Sequence, residues 1–183
     1  MSWEYLGKET DYRMLVVAGY ICNHIKDKII VDLNCLEGRI LNYIPYTFKK
    51  YLGNDIINRF KFKTDECIKF YNQSDSEFIK MLNKIDILLA LGHGGYELSP
   101  NNKESQTLTN SIKYIMKFYN PEFVILEAAE GIYSTCIDNI AKDCNYIIDF
   151  NININNRDNN INQFYYNRNI ICLRHPNKFI NTI

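Results

Sequence analysis

The sequence predicts an α/β domain of three layers, with helices on both faces of a seven-stranded, mostly parallel sheet that ends in an antiparallel hairpin. Short apolar runs alternate with amphipathic stretches over most of the chain, which is typical of successive βα units. Two apolar runs near the C-terminus have no helical pattern between them, so we expect them to pair directly. We expect one domain over residues 1–183, in which residues 1–27 form an N-terminal helical extension of a core at 28–183.

Each predicted strand is a run of β-branched or aliphatic residues bounded by turn-forming residues. The first, residues 28–33, reads KIIVDL and suits the centre of a sheet. The fourth, residues 85–91, reads IDILLAL and leads into the glycine-rich loop 92–95. The other strands are predicted at residues 50–55, 67–71, 122–128, 146–153 and 169–173. An asparagine-rich loop separates the last two strands, which form the predicted hairpin.

Helices are predicted where apolar residues recur at intervals of three and four. Pro45 ends a short helix after the first strand, because proline cannot continue it. Ser74 or Asp75 caps the helix that follows the third strand. The predicted helices cover residues 9–26, 39–44, 76–82, 105–118 and 132–141.

The charge balance and the cysteine pattern argue against several classes of protein. The 21 basic and 21 acidic side chains cancel, so we expect no general affinity for nucleic acid. The chain has three histidines and no cysteine pair with CxxC spacing, so we expect no metal site. No apolar run reaches the ~18 residues of a membrane span, and the N-terminus lacks the apolar region of a signal peptide. We therefore expect a cytoplasmic protein with reduced thiols and no membrane attachment.

The turn after the first strand is the main candidate for a ligand site. The segment from Asp32 to Gly38, DLNCLEG, joins a buried strand to a helix at the edge where open α/β sheets bind ligands. Backbone N–H groups of such a turn can face a ligand, and Asp32 could accept hydrogen bonds from that ligand or order the loop. The patterns GxGxxG and GxxxxGK[ST] are absent, so a pyrophosphate ligand lacks its usual glycines.

The stretch IIVDLNCLEGRI resembles the first motif of class I S-adenosylmethionine (SAM)-dependent methyltransferases, which have a Rossmann-like fold. Gly38 matches one of the family's alternating glycines, while Asn34 and Leu36 stand where glycine is usual. The segment is similar to the D-x-x-C-L-E-G variant of one branch of these enzymes. The resemblance extends over about residues 28–175 and implies SAM as the cofactor. It implies that the first motif contributes Asp32, Asn34, Cys35, Leu36, Glu37 and Gly38.

Residues after the second and third strands also correspond to cofactor positions of the family. The family's second strand ends in an acidic residue that takes the ribose hydroxyls, and Asp55 stands there, with Asn54 as an alternate. A polar or acidic residue beside the adenine follows the family's third strand, where this chain has Ser74 and Asp75. The resemblance therefore implies that these four residues belong to the cofactor site.

The loop after the fourth strand corresponds to the part of the family that lines the methyl-acceptor pocket. Gly92 would lie at the cofactor, and His93 is the candidate catalytic base, because an imidazole with a pKa of about 6.5 suits proton transfer. Glu127 and Glu130 bracket the end of the fifth strand, and either could face the acceptor. The sequence does not decide whether His93 or a glutamate is the base.

Several site residues also have a plain structural interpretation. Glu37 either binds the amino group of the ligand or favours a helix N-terminus. Cys35 is expected to pack as a small residue beside the ligand, because no histidine lies near it in sequence to activate a thiolate. Asp55, Ser74 and Asp75 could each serve as an ordinary helix cap.

The sequence therefore predicts methyl transfer from SAM to a small-molecule acceptor. The alternative is a non-catalytic protein of the same fold that binds a nucleoside or serves as an interaction module, favoured by Leu36 and by the lack of an NPPY-like acceptor motif. A nicotinamide-dependent oxidoreductase is a third interpretation, weakened by the missing dinucleotide glycines. The 14 tyrosines and 10 phenylalanines give ample aromatic surface for a homodimer.

Overall fold

The structure is a computed structural model, which describes residues 13–58, 60–91, 103–129, 133–154 and 168–178. Within these ranges, seven strands form one sheet. The strands are β1 (Ile29–Leu33), β2 (Lys50–Asn54), β3 (Ile68–Tyr71), β4 (Ile87–Ala90), β5 (Phe123–Ala129), β6 (Ile147–Ile154) and β7 (Arg168–Arg174). Every one of them overlaps a predicted strand, and the bounds agree closely.

The strands follow the order β3-β2-β1-β4-β5-β7-β6 across the sheet. The first five run parallel, and β7 lies antiparallel between β5 and β6. The mostly parallel sheet and its C-terminal antiparallel hairpin are therefore confirmed. The strand order reverses between β1 and β4, and open α/β sheets bind ligands beyond the carboxyl ends of the strands at such a point.

Helices cover both faces of the sheet, so the predicted three-layer arrangement is also confirmed. The structure has α1 (residues 13–21), a 3-10 helix (Arg39–Asn42), α2 (Asp75–Lys80), α3 (Lys103–Tyr119), α4 (Tyr133–Cys144) and a second 3-10 helix (Pro176–Lys178). Side chains of α2, α3 and α4 pack on one face, and those of α1 and the first 3-10 helix pack on the other. No helix in the described ranges combines the length and the apolar character that crossing a bilayer requires.

Two apolar layers fill the space between the sheet and its helices. Leu88 of β4 lies in one layer with Ile112 of α3 and Ile137 of α4. The other layer contains Val17 and Ile21 of α1. All five side chains are fully buried, and each contributes about 1.5–3 kcal/mol to the free energy of folding. Because helices cover both faces, the central strands read as continuous apolar runs rather than as alternating patterns.

The helix predicted at residues 39–44 is instead a single 3-10 turn, Arg39–Asn42. Gly38 precedes this turn with a φ of 75° and has no side chain that could cap it. Pro45 follows closely, and the residue before a proline is disfavoured in the α-helical region. The segment is therefore too short and too weakly capped to continue as an α-helix.

Residues in the left-handed conformation follow the ends of α3 and α4. Asn120 has a φ of 47° directly after α3, and Asn145 has a φ of 58° directly after α4. Asparagine tolerates this conformation better than most residues and therefore suits the position after a helix. In the described part of the predicted helix 9–26, the helical conformation ends at residue 21, and Asp27 has a φ of 60°.

Candidate functional site

The turn that follows β1 has an unusual alternating backbone. Asn34, Leu36 and Gly38 all have positive φ angles, of 57°, 56° and 75°. These are the three positions at which methyltransferases of the resembled family usually have glycine. The left-handed conformation costs a leucine about 1–2 kcal/mol, so surrounding contacts must hold Leu36 in it. The turn therefore has the left-handed backbone conformation that glycine favours at all three positions, although only Gly38 is a glycine.

Asp55 provides the contact that holds this turn. Its Oδ2 accepts a hydrogen bond from the backbone N–H of Leu36 at 2.8 Å, and its Oδ1 accepts one from the N–H of Ile57 at 2.8 Å. The carboxylate is buried directly after β2. It therefore links the turn after β1 to the loop after β2. A carboxylate has about four acceptor positions, so these two bonds are compatible with a further bond to a ligand hydroxyl.

Asp32 is a buried carboxylate near the carboxyl end of β1. Its Oδ2 accepts a hydrogen bond from the Tyr51 hydroxyl at 2.6 Å, while its Oδ1 is buried without a hydrogen-bond partner in the described structure. Burial raises the pKa of Asp32 to about 7, with a smaller contribution from the charge of Asp55, and the Tyr51 hydrogen bond opposes this rise. A buried oxygen without a partner is unfavourable unless a ligand or a water molecule supplies the partner.

Asn54, Ser74 and Asp75 connect the end of β2 to the start of α2. The Asn54 side-chain amide donates to Asp75 Oδ1 and to the Gln73 carbonyl, both at 3.2 Å. Ser74, one of the two residues predicted to cap this helix, is the N-cap of α2 and forms a capping box with Glu77. The structure therefore brings these three candidate residues together and gives Asn54 and Ser74 structural contacts.

Three carboxylates, one in β1, one directly after β2 and one at the start of α2, produce a negative field at this edge of the sheet. Burial raises the pKa of Asp75, and the charge of Asp55 raises it further, although the Asn54 amide opposes the rise. Asp55 acts on Asp32 in the same direction. A cation placed here would relieve this repulsion. Within the described ranges, His, Cys, Asp and Glu side chains form no group of three or more suited to a metal ion.

Glu37 faces two basic side chains. Its Oε2 lies 3.2 Å from Arg39 Nε and 2.8 Å from Lys61 Nζ. Burial opposes its ionisation, but the hydrogen bond from Lys61 and the charge of Arg39 outweigh burial, so the pKa of Glu37 lies below its usual value. Glu37 thereby ties the turn to the loop before β3, and its predicted contact with the amino group of a ligand stays a prediction.

Close packing surrounds Cys35 and the two glycines near it. A Cβ atom on Gly53 would lie 2.8 Å from Cys35 Sγ and 2.9 Å from the Phe70 ring. A Cβ on Gly38 would lie 2.7 Å from Phe70 Cζ. The Cys35 side chain is buried in this packing, and its N–H donates to the Asn54 carbonyl at 3.0 Å. These contacts agree with the expectation that Cys35 packs as a small residue.

Three residues beside the candidate site, Tyr51, Asn72 and Ile56, carry no signal in the local sequence pattern. Tyr51 is fully buried, and a buried tyrosine hydroxyl needs a polar partner, which could have pointed to Asp32. The Asn72 side chain donates to the carbonyls of Asp55 and Ile56 at 2.8 and 2.6 Å. Ile56 is 74% exposed and Ile57 is 56% exposed, so two apolar side chains stand uncovered beside Asp55.

Of the residues predicted to face the methyl acceptor, only Glu127 lies within the described ranges. Gly92, His93 and Glu130 lie outside the described residues. Glu127 is buried on β5 and forms an ion pair with Arg13 of α1. This ion pair joins the first helix to the central sheet near the carboxyl end of β5.

No protein-family model matches the chain, and no curated protein matches its sequence. Solved structures match it by fold. The methyltransferase domain of bacterial CtHen1 has a TM-score of 0.66 at 16% identity, covering 88% of this chain and 97% of that one. N-methyltransferase NodS from Bradyrhizobium japonicum WM9 has a TM-score of 0.65 at 10% identity, covering 96% of this chain and 99% of that one.

A third similar structure was crystallised with S-adenosylhomocysteine. Magnesium protoporphyrin IX methyltransferase from Synechocystis PCC 6803 has a TM-score of 0.65 at 12% identity, covering 90% of this chain and 82% of that one. The three structures match the fold of this chain over 88–96% of its length. The chain therefore has the fold of class I SAM-dependent methyltransferases, and the resemblance stated from the sequence is confirmed at the level of the fold.

Proposed function

We propose that the protein is a methyltransferase that uses SAM and acts on a small-molecule acceptor. The observation that carries this proposal is the turn after β1, where three alternating left-handed residues adjoin a buried carboxylate that has one unpartnered oxygen. The fold supports the proposal, because the similar structures include methyltransferases, one of them crystallised with the demethylated cofactor.

The charges and surfaces of the described site fit SAM. The cofactor carries a sulfonium and an ammonium group, and Asp32 offers a buried carboxylate to a cation. Asp55 would accept the ribose hydroxyls, as the resemblance implies. Ile56, exposed and directly after Asp55, would cover one face of the adenine. The backbone of Asn34 and Leu36 would border the cofactor, because their left-handed conformation opens the turn.

When bound, SAM would supply a methyl group on a positively charged sulfur, and the neutral thioether would be the leaving group. The protein then has to hold the acceptor in line with that methyl group, which can lower the barrier by several kcal/mol. We propose His93 as the base for an acceptor that must lose a proton. Glu130 is the alternative base. Glu127 is the weaker candidate, since its carboxylate already pairs with Arg13.

Calorimetric titration with SAM and with S-adenosylhomocysteine tests the cofactor site. A cationic ligand beside Asp32 lowers the pKa of that carboxyl, so binding should release protons near neutral pH and should tighten from pH 6 to pH 8. Asp32→Asn should weaken SAM binding and abolish the proton release. Asp138→Asn, on the exposed side of α4, is the matched control and should change neither. The absence of both heat and thermal shift at millimolar ligand would contradict the proposal.

Turnover is tested with SAM that carries a labelled methyl group and a panel of acceptors. Incorporation into a small molecule supports the proposed acceptor class, while incorporation into RNA alone would contradict it. His93→Asn should retain cofactor binding and lose turnover. Cofactor binding without transfer to any acceptor would favour the non-catalytic alternative.

We also propose that the protein works in the cytoplasm. All six cysteines are free, and unpaired thiols are typical of a reducing compartment. Cell fractionation with an antibody against the chain tests this location.

A further inference from the structure

Among the described residues, β6 forms the outer edge of the sheet. β6 pairs with β7 on one side, and no strand of the described ranges pairs with its other side. Ile147, Ile148 and Ile152 of this strand are each about 40% exposed. Unpaired backbone N–H and C=O groups next to apolar side chains form a surface that readily accepts another strand.

The two halves of β6 differ in how well they could accept a strand. A bulge interrupts the register between Ile148 and Phe150. Asp149, at the bulge, binds Tyr20 of α1 and lies 3.1 Å from Arg174 of β7. Bulges and charged residues discourage strand addition, so the first half is protected. The second half, residues 150–154, is regular and carries no charge.

The second half of β6 has a sequence that is nearly symmetric about its centre. It reads FNINI, with an isoleucine at the middle, an asparagine on each side and an apolar residue at each end. In an antiparallel pair of two such segments centred on Ile152, Phe150 lies opposite Ile154 and Asn151 lies opposite Asn153. Every apolar residue then meets an apolar residue, and every amide meets an amide.

We propose that two copies of this chain associate by pairing their β6 strands antiparallel about a two-fold axis beside Ile152. Residues directly opposite each other in such a pair point to the same face of the sheet. Phe150 and Ile154 pack with α1 and β7 on one face, so a continuous apolar ladder forms on that face of the extended sheet.

A second copy suits this edge because a two-fold interface must be complementary to itself. The neutral FNINI segment meets that condition, since no charge opposes another across the axis. The contact involves one short strand segment from each copy, so the expected association is weak. Pairing through β6 does not require methyl transfer, and the experiments that follow use no cofactor.

Sedimentation of the complete chain over a range of concentrations tests the dimer. The unchanged chain should approach twice the monomer mass at high micromolar concentration. Ile152→Lys should weaken association by at least about tenfold, because it places two like charges across the axis. Leu15→Lys, which adds the same charge at an exposed apolar site on α1, should leave association unchanged. A chain that stays monomeric, or an Ile152→Lys variant that dimerises normally, overturns the inference.

Cross-linking tests the register independently of charge. Opposing residues of an antiparallel pair lie close enough for a disulfide, and Ile152 opposes itself. With the exposed Cys67 replaced by serine, Ile152→Cys should form a covalent dimer under mild oxidation. Ile147→Cys, in the half protected by the bulge, should not. Equal cross-linking of both variants, or none in either, overturns the proposed register.

Discussion

Asp32 shows how the burial of a single carboxyl group couples folding to pH. Its carboxyl has one oxygen bound by Tyr51 and one unpartnered oxygen, and burial raises its pKa to about 7. In the unfolded chain an aspartate has a pKa of about 3.9. Between these two pH values the folded protein binds more protons at this site than the unfolded chain. The contribution of Asp32 to stability is therefore present at low pH and is lost as pH rises from about 4 to about 7.

Replacing Asp32 tests this linkage. Asp32→Asn removes the titration and keeps an oxygen that can accept from Tyr51. Its free energy of unfolding should therefore fall less between pH 5 and pH 8 than that of the unchanged protein, by on the order of 1–3 kcal/mol. Urea unfolding at both pH values measures the difference. Asp138→Asn should follow the unchanged protein, and an identical pH slope in Asp32→Asn would show that the group does not titrate in this range.

Gly38 is a second residue at which local geometry decides tolerance. Its φ of 75° disfavours a side chain, and a Cβ would meet Phe70 Cζ at 2.7 Å. Gly38→Ala should lower the free energy of unfolding by about 1–3 kcal/mol. Gly19→Ala is the matched control, because a Cβ there meets nothing within 4 Å. Gly19→Ala should raise the free energy of unfolding by about 0.5–1 kcal/mol, because Gly19 lies at an exposed position within α1. Chemical denaturation compares the two, and equal effects would contradict the close contact.

At the scale of one element, α2 depends strongly on its cap. The helix has six residues, Asp75–Lys80, and a helix this short gains little from its own propensity. The Ser74 side chain accepts from the Glu77 N–H, and the Glu77 side chain accepts from the Ser74 N–H. The position of Asp75 beside Asn54 follows from where this helix starts.

The capping box gives a prediction for α2. Ser74→Ala should lower the free energy of unfolding by about 1 kcal/mol, because an orphan N–H loses its acceptor. Ser74→Asp keeps an acceptor at the same place and should retain most of the stability. Thermal unfolding of the three proteins measures both effects. If the alanine and aspartate variants lose stability equally, the cap is not the cause.

At the scale of the whole molecule, a buried ion pair joins the first helix to the sheet. Arg13 and Glu127 are 114 positions apart, and both side chains are almost fully buried. A buried pair is costly to break on one side, because the remaining charge loses its main partner in a region of low dielectric. The pair therefore ties α1, which covers one face of the sheet, to β5, the strand that carries Glu127.

A double-mutant cycle tests this tie. Arg13→Met should lower the free energy of unfolding by about 3–5 kcal/mol, and the double variant Arg13→Met/Glu127→Leu should recover much of that loss. Lys113→Met, which breaks the more exposed pair with Asp143, should cost about 1 kcal/mol or less. Urea unfolding of Arg13→Met, Glu127→Leu, the double variant and Lys113→Met, each beside the unchanged protein, supplies the energies. Additive effects of the two buried substitutions would show that Arg13 and Glu127 are not coupled.

Local patterns were sufficient to predict the elements and the sheet. Strands, helices and the final hairpin follow from periodicity and from turn residues, which act over a few positions in the chain. The turn from Asp32 to Gly38 was also recognisable, because the strand before it and Gly38 within it are local features. The prediction of an α-helix after this turn was wrong, and the segment is a 3-10 turn. The apolar spacing of residues 39–44 favours a helix but takes no account of the capping side chain that Gly38 lacks.

The sequence by itself determined the order of the elements, the mostly parallel character of the sheet with its final hairpin, and the place of the turn, because each follows from patterns over a few positions of the chain. Tertiary structure alone decided what the site residues contact. Tyr51 reaches Asp32 because β2 lies beside β1 in a particular register, and Glu37 pairs with Lys61 because a distant loop passes over it. Contacts between segments depend on how the strands pair and pack in space, which no local pattern specifies.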